Sequence, residues 1–200
     1  MNIKSFCGGF DSNFTYLIWD DTNEAVIIDA SNGVHPILDF AEENGLKIKY
    51  VFLMHSHFDH LEGVEEYRKK GIEILGHESM SFKLDKKLKD GEIIKVGEMN
   101  LKVLHTPGHI FDSICVFVEG KLFTSDTLFV GCIGRSDLDG ANVDDYYDSL
   151  YNKILKLPDN TEIYPGHDYG IKNISILAWE KEHNSVLMCK SKDEFVKLVG

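Results

Sequence analysis

The chain has 200 residues, 21 Lys+Arg against 33 Asp+Glu for a formal charge of −12, and a hydrophobic fraction of 43%. That acidic excess argues against an electrostatically driven nucleic-acid binder, which presents a basic surface, and the apolar content argues against disorder. The longest apolar runs, such as Ala25–Ile28 and Tyr50–Met54, are far too short to cross a bilayer, and no leader-like segment opens the chain.

In chain order, alternation in Phe14–Trp19 predicts a strand, Asp20–Asn23 a turn and Ala25–Asp29 a second strand, making an N-terminal hairpin. His35–Asn44 has helical spacing and stops at Gly45; Lys49–Met54 is a short buried strand. Glu62–Lys70 reads as a helix closed by Gly71, and 72–75 as the next strand. The Lys-rich stretch Lys83–Lys89 is punctuated by acids and reads as a solvated face. Four strand candidates follow, at Glu92–Val96, Leu101–His105, Ile114–Val118 and Lys121–Thr124. Asp144–Leu155 is a helix, Thr161–Tyr164 a strand, and a last helix begins after Ser175 and runs to about His183. Strands followed by helices in both halves predict an α/β protein, an αββα four-layer sandwich. With no Pro/Gly-rich linker, the expectation is one domain over 1–200 without an additional C-terminal substrate domain. A cytoplasmic location, a small-molecule substrate and no nucleic-acid or membrane partner complete it, with oligomeric state open.

The sharpest feature is His55-Ser56-His57-Phe58-Asp59-His60, directly after an apolar strand. His55 and His57 cannot both sit in an apolar layer without unsatisfied nitrogens, whereas a strand-end loop lets them converge on a cation. His109, Asp126 and His167 share that context, since each follows the exit of a predicted strand. Five histidines and two aspartates suit zinc first, with iron or manganese as alternatives. The cysteines, at positions 7, 115, 132 and 189, form no CxxC and contribute nothing to this set. Seven ligands exceed what one tetrahedral ion uses, so two divalent ions sharing a carboxylate are expected.

The chain resembles the metallo-β-lactamase superfamily, whose HxHxDH motif stands at His55–His60 with later ligands at His109, Asp126 and His167. The resemblance implies one metal on His55, His57 and His109, a second on Asp59, His60 and His167, and Asp126 bridging. It assigns Asp29 an orienting role. Ser125-Asp126-Thr127-Leu128-Phe129, Gly134-Arg135-Ser136-Asp137 and Pro165-Gly166-His167-Asp168-Tyr169 resemble the hydroxyacylglutathione hydrolase (glyoxalase II) group, in its compact single-domain form. Three positions depart from that group: Met54 and Ile110 where Thr is usual, and Ser125 where Gly is usual. Arg135 and Asp137 are candidates for a pair supporting the Asp126 loop, and Cys132 and Tyr169 are candidates for the pocket.

The implied reaction is attack of a metal-bridging hydroxide on a thioester such as S-2-hydroxyacyl-glutathione, with Asp59 orienting the nucleophile. Two alternatives stand beside it, the first sharing these motifs. One is a mononuclear iron persulfide dioxygenase using His55, His109 and Asp126; the other is a lactonase on the same fold.

Overall fold

The computed structural model describes residues 1–200. Strands β1 (Asn2–Gly8), β2 (Asn13–Trp19), β3 (Glu24–Ile28), β4 (Lys47–Phe52), β5 (Glu73–His77) and β6 (Lys86–Leu88) form one sheet in that order. Pairing is antiparallel from β1 to β3 and parallel from β3 to β6. The second sheet holds β7 (Ile93–Val96), β8 (Met99–His105), β9 (Ile114–Val118), β10 (Lys121–Ser125), β11 (Glu162–Pro165) and β12 (Ser175–Ile176), ordered β12-β11-β10-β9-β8-β7. Only β10 and β11 run parallel there.

Side-chain alternation builds the layers. In β2, Phe14, Tyr16 and Ile18 enter the core between the sheets, while Leu17 faces the other way. Met99, Leu101 and Val103 of β8 meet them from the opposite sheet. Outside the first sheet, helices α1 (Val34–Glu43) and α2 (Val64–Lys69) cover Leu17, Ile27, Val51 and Ile74 with Ile37, Ala41 and Tyr67. Outside the second, α3 (Val143–Tyr147), α4 (Leu177–His183) and α5 (Lys192–Val199) contribute Tyr146, Leu177 and Phe195 over Cys115, Leu122 and Ile163. The αββα sandwich expected from the strand and helix pattern is therefore the observed fold. No helix is long and apolar enough to cross a membrane.

Four elements escaped the sequence reading. Strand β1 is an edge strand with no fully buried side chain, so its hydrophobic alternation is weak. Strand β6 lies inside the stretch read as a solvated face: Lys86 and Lys87 are exposed as expected, but Leu88 is fully buried. The two-residue β12 is below the length at which periodicity speaks. Helix α5 follows the helix taken as the last; Ser191 caps it, its Oγ accepting from the Glu194 N–H at 3.2 Å. The predicted helix at Asp144–Leu155 begins one residue earlier, and past α3 it continues as a wide π turn over Asp148–Lys153 and a tight 3-10 turn over Ile154–Lys156.

His77, at the end of β5, stacks on His105, at the end of β8, with ring centroids 3.7 Å apart and planes within 8°. Burial, then the neighbouring His105, pushes the His77 pKa down to about 4. An unfolded histidine titrates near pH 6.5, so below that pH the unfolded chain binds the extra proton first. Stability is thus present above about pH 6.5 and lost as pH falls toward about 4. His77→Gln removes this contribution. In thermal melts at about pH 7 and about pH 5, the variant is expected to lose less Tm than the wild type; an equal loss would contradict the assignment.

Candidate metal centre

The site assembles where strands of both sheets end. Met54 continues the line of β4, its carbonyl accepting from the Ile114 N–H of the opposite sheet at 2.8 Å. The chain then breaks into the loop bearing His55 and His57 and a 3-10 turn, Phe58–His60, bearing Asp59 and His60. His109 follows β8, Asp126 follows β10 and His167 follows β11. Two glycines make the approach possible. Gly108 has φ +146°, and a Cβ there would lie 2.4 Å from the Tyr146 Cα. A Cβ on Gly166 would lie 2.4 Å from Asp126 Oδ1, inside the site itself.

All seven predicted ligand residues come together, in two groups: His55, His57, His109 and Asp126, and Asp59, His60 and His167. In the first, His57 Nδ1 lies 3.0 Å from His55 Nε2 and 2.9 Å from His109 Nε2. Asp126 Oδ2 stands 4.0 and 3.6 Å from His55 and His109 Nε2. Asp126 Oδ1 instead faces the second group, 3.4 Å from His60 Nε2 and 3.3 Å from His167 Nε2. Asp59 Oδ2 completes that group at 3.3 and 3.6 Å from the same nitrogens. The two oxygens of one carboxylate thus address two donor sets.

The residues fit a pair of cations. Donors around a tetrahedral ion at about 2.0–2.1 Å stand about 3.3 Å apart, close to the spacings found. Buried Asp126 Oδ1 has no hydrogen-bond partner, a cost that a cation removes. The outer ring nitrogens are also tied. His109 Nδ1 donates to the Arg135 carbonyl and His167 Nδ1 to the Asp11 carbonyl, both at 2.8 Å. His60 Nδ1 donates to Asp29 Oδ2 at 3.0 Å. Ser125 Oγ donates to the same Asp29 oxygen at 2.7 Å and accepts from His55 Nδ1 at 3.3 Å. Each of these four histidines is thus held by an outer partner at Nδ1 and, when neutral, turns its Nε2 lone pair inward, the arrangement that orients imidazole toward a metal.

The two halves differ electrostatically. Burial, reinforced by the other histidines, lowers the pKa of His55 and of His57, keeping them neutral and ready to ligate. Burial also opposes charge on His60, but Asp29 and Asp126 outweigh it and hold its pKa well above the usual value. His167 follows the same pattern, with Asp126 overcoming burial. Asp126 itself is held well below the usual carboxylate range, His60 and His167 outweighing its burial. Without metal the second set is an ion-paired cluster, so metal entry there releases protons.

Asp29 is not among the converging donors. It has φ +62°, and its Oδ1 accepts from the Met54 N–H at 3.0 Å, so it supports the ligand loop from beneath. Arg135 and Asp137 do form a pair, bidentate at 2.8 and 2.9 Å and exposed at the rim. The Arg135 carbonyl, rather than its side chain, is what holds His109. Tyr169 borders the cleft, its ring stacked on His167 at 4.7 Å and its hydroxyl donating to Asp11. Cys132 is half-buried and is not among the residues lining the cleft; its carbonyl accepts from Phe129 and Asn184.

Three supporting residues were not foreseen. Asn13, fully buried, donates from Nδ2 to Asp59 Oδ2 at 2.9 Å, its amide orientation set by the Asp11 N–H donating to Oδ1. Ser31 Oγ lies 3.2 Å from His60 Nδ1. Asp112, buried, accepts from the Ser56 N–H at 3.3 Å and joins the His109 loop to the first ligand loop. Each is a single polar residue beside an apolar run, and sequence spacing alone does not mark it.

Residues 8–84 and 73–167 match the metallo-beta-lactamase superfamily. A hydroxyacylglutathione hydrolase of Dictyostelium discoideum is 34% identical over 199 residues, 90% of this chain and 74% of that protein. One from Francisella tularensis subsp. novicida is 33% identical over 181 residues, 86% of this chain and 71% of that protein. The crystal structure of ETHE1 from Myxococcus xanthus superposes with a TM-score of 0.93 at 33% identity, covering 100% of this chain and 90% of that one. The BLEG-1 B3 metallo-beta-lactamase does so with a TM-score of 0.85 at 26% identity, over 94% and 100% of the respective chains. Sheet order, a doubly addressed aspartate and whole-chain similarity converge on one conclusion: the chain belongs to the metallo-beta-lactamase superfamily, as a metal-dependent hydrolase related to hydroxyacylglutathione hydrolases and to ETHE1.

Proposed function

We propose that the protein is a binuclear thioester hydrolase, with zinc as the first candidate metal and S-2-hydroxyacyl-glutathione as the reference substrate type. The observation that carries the binuclear part is the division of Asp126 between two donor sets, Oδ1 within 3.4 Å of His60 and His167 and Oδ2 3.6 Å from His109. The thioester part rests on the kinship with hydroxyacylglutathione hydrolases. His55, His57 and His109 would hold one ion, Asp59, His60 and His167 the other, and Asp126 both. Two such cations lower the pKa of bound water and stabilise the oxyanion that develops at the carbonyl.

The chain's own residues supply the rest. Asp59, largely buried beside the cleft, would orient the attacking water, while Asn13 holds its carboxylate. The water, having given one proton to solvent, bonds through oxygen to the carbonyl carbon as the C=O electron pair moves onto oxygen; return of that pair breaks the C–S bond, and the carboxylic acid product yields the second proton. A thiolate is stable enough as a leaving group that no protein acid is required. The cleft, about 530 Å³, opens directly over His57, Asp59, His109, Asp126 and His167.

The test is metal quantification on protein purified without added metal, coupled to S-lactoylglutathione hydrolysis. Two metals per chain with thioester cleavage is the expected result. One iron per chain with persulfide-dependent oxygen uptake would overturn the hydrolase reading in favour of a dioxygenase on His55, His109 and Asp126.

A further inference from the structure

We infer that Glu180, a buried carboxylate on α4, is a positioning residue for the substrate cleft, because it holds the turn that seats Phe129 beside the second donor set. The kinetic side of this role rests on the thioester reading above, which supplies the substrate. The turn, Phe129–Cys132, follows the shared ligand Asp126 and closes on itself, the Phe129 N–H donating to the Cys132 carbonyl at 2.9 Å. Phe129 is the part of it that reaches the site. Its ring lines the cleft and packs edge to face on His167 at 5.7 Å and on Tyr169 at 5.0 Å. One wall of the cleft is thereby set against a ligand imidazole.

The turn is gripped from 49 positions away: Glu180 Oε2 accepts from the Gly131 N–H at 2.9 Å. The same oxygen accepts from Asn184 Nδ2 at 3.1 Å, and Asn184 Nδ2 also donates to the Cys132 carbonyl at 3.2 Å. Glu180 and Asn184 are both fully buried, one helical turn apart, with the Asn184 N–H on the Glu180 carbonyl at 2.9 Å. The base of the loop is fixed separately. Thr124 Oγ1 donates to the Leu128 carbonyl at 2.6 Å, and the Tyr146 hydroxyl to the Thr127 carbonyl at 2.9 Å. The tip depends on α4. The residue type points the same way. A side chain needed at position 180 only to fill this layer would be apolar, as Leu177 on the same helix is. Glu180 instead takes a carboxylate out of water against neutral amide donors, and its Oε1 has no partner. Such burial is costly, and what it secures is the turn and, through it, the place of Phe129.

Two substitutions separate holding the turn from filling space. Glu180→Met keeps the length and removes the acceptor, while Glu180→Gln keeps an acceptor for the Gly131 N–H. On the metal-loaded enzyme with S-lactoylglutathione, Glu180→Met is expected to raise KM about tenfold, with kcat within about threefold and metal content unchanged. Glu180→Gln is expected to return KM to within about threefold of wild type. An unchanged KM in Glu180→Met, or loss of kcat and metal together with it, would overturn the positioning role, the latter by marking a general structural defect. A glutamine variant as impaired as the methionine one would overturn it too. Should Glu180→Met not fold, Asn184→Ala removes the bond to the Cys132 carbonyl and leaves that from Gly131: a raised KM with kcat kept supports the role, and an unchanged KM refutes it. If the wild type cleaves no thioester, the thioester reading falls, and crystal structures of the folded variants decide the role without substrate. Phe129 displaced from His167 in the methionine or alanine variant supports it; a ring still in place refutes it.

Discussion

Replacing Asp126 by alanine is expected to lower kcat about a thousandfold or more and to leave purified protein with at most one metal ion per chain. No other residue faces both donor sets, with Oδ1 3.4 Å from His60 and Oδ2 3.6 Å from His109. Removing the carboxylate also removes the anion that compensates the buried His60 and His167. The Gly166 backbone that was shaped around Asp126 Oδ1 offers no substitute donor. Elemental analysis and steady-state rates, with circular dichroism to confirm the fold, check this. A variant that kept two ions and a rate within tenfold of wild type would show that Asp126 does not bridge.

Asp29→Ala is expected to reduce both stability and metal affinity although Asp29 is not among the converging donors. Its carboxylate accepts from three buried groups: the Met54 N–H at 3.0 Å, Ser125 Oγ at 2.7 Å and His60 Nδ1 at 3.0 Å. Leaving such donors unpaired costs about 1–3 kcal/mol each before relaxation, and alanine at the native φ of +62° adds about 1–2 kcal/mol of backbone strain. Urea denaturation of metal-free protein is expected to show a loss of about 3–5 kcal/mol. Metal affinity should fall about 10- to 100-fold as His60 loses its orienting partner. Asp29→Asn tolerates the same backbone and can still accept from Met54, so it should restore more of the stability than of the affinity. Full recovery of metal affinity in the asparagine variant would refute the orienting role.

The metal centre was legible because its chemistry is local and costly. Three histidines and an aspartate within positions 55–60 cannot be satisfied in an apolar core, and His109, Asp126 and His167 each stand just past an apolar strand. The double-layer arrangement followed from strands followed by helices in both halves of the chain, and the alternating burial along β2, β8 and β9 builds it. What escaped were elements whose burial is one-sided or supplied late. Strand β1 shows no buried face of its own, and β6 is marked by Leu88 alone among lysines. Helix α5 carries a single fully buried residue, Phe195, which packs on Tyr147 at 5.5 Å from a distant part of the chain. The supporting shell was equally hidden. Asn13 reaches Asp59 across 46 positions and Ser125 reaches Asp29 across 96, distances over which no spacing rule operates. Ser125, a departure from the usual glycine, proved informative only in three dimensions: at φ +45° its hydroxyl links His55 of one donor set, through Asp29, to His60 of the other.

The most direct measurement of the central claim is anomalous diffraction from crystals of the zinc-loaded protein, recorded on both sides of the zinc edge. The account predicts two peaks, roughly 3.5–4 Å apart, one among His55, His57 and His109, the other among Asp59, His60 and His167, with Asp126 between them. A single fully occupied peak, with the second donor set still closed by its own ion pairs, would contradict it.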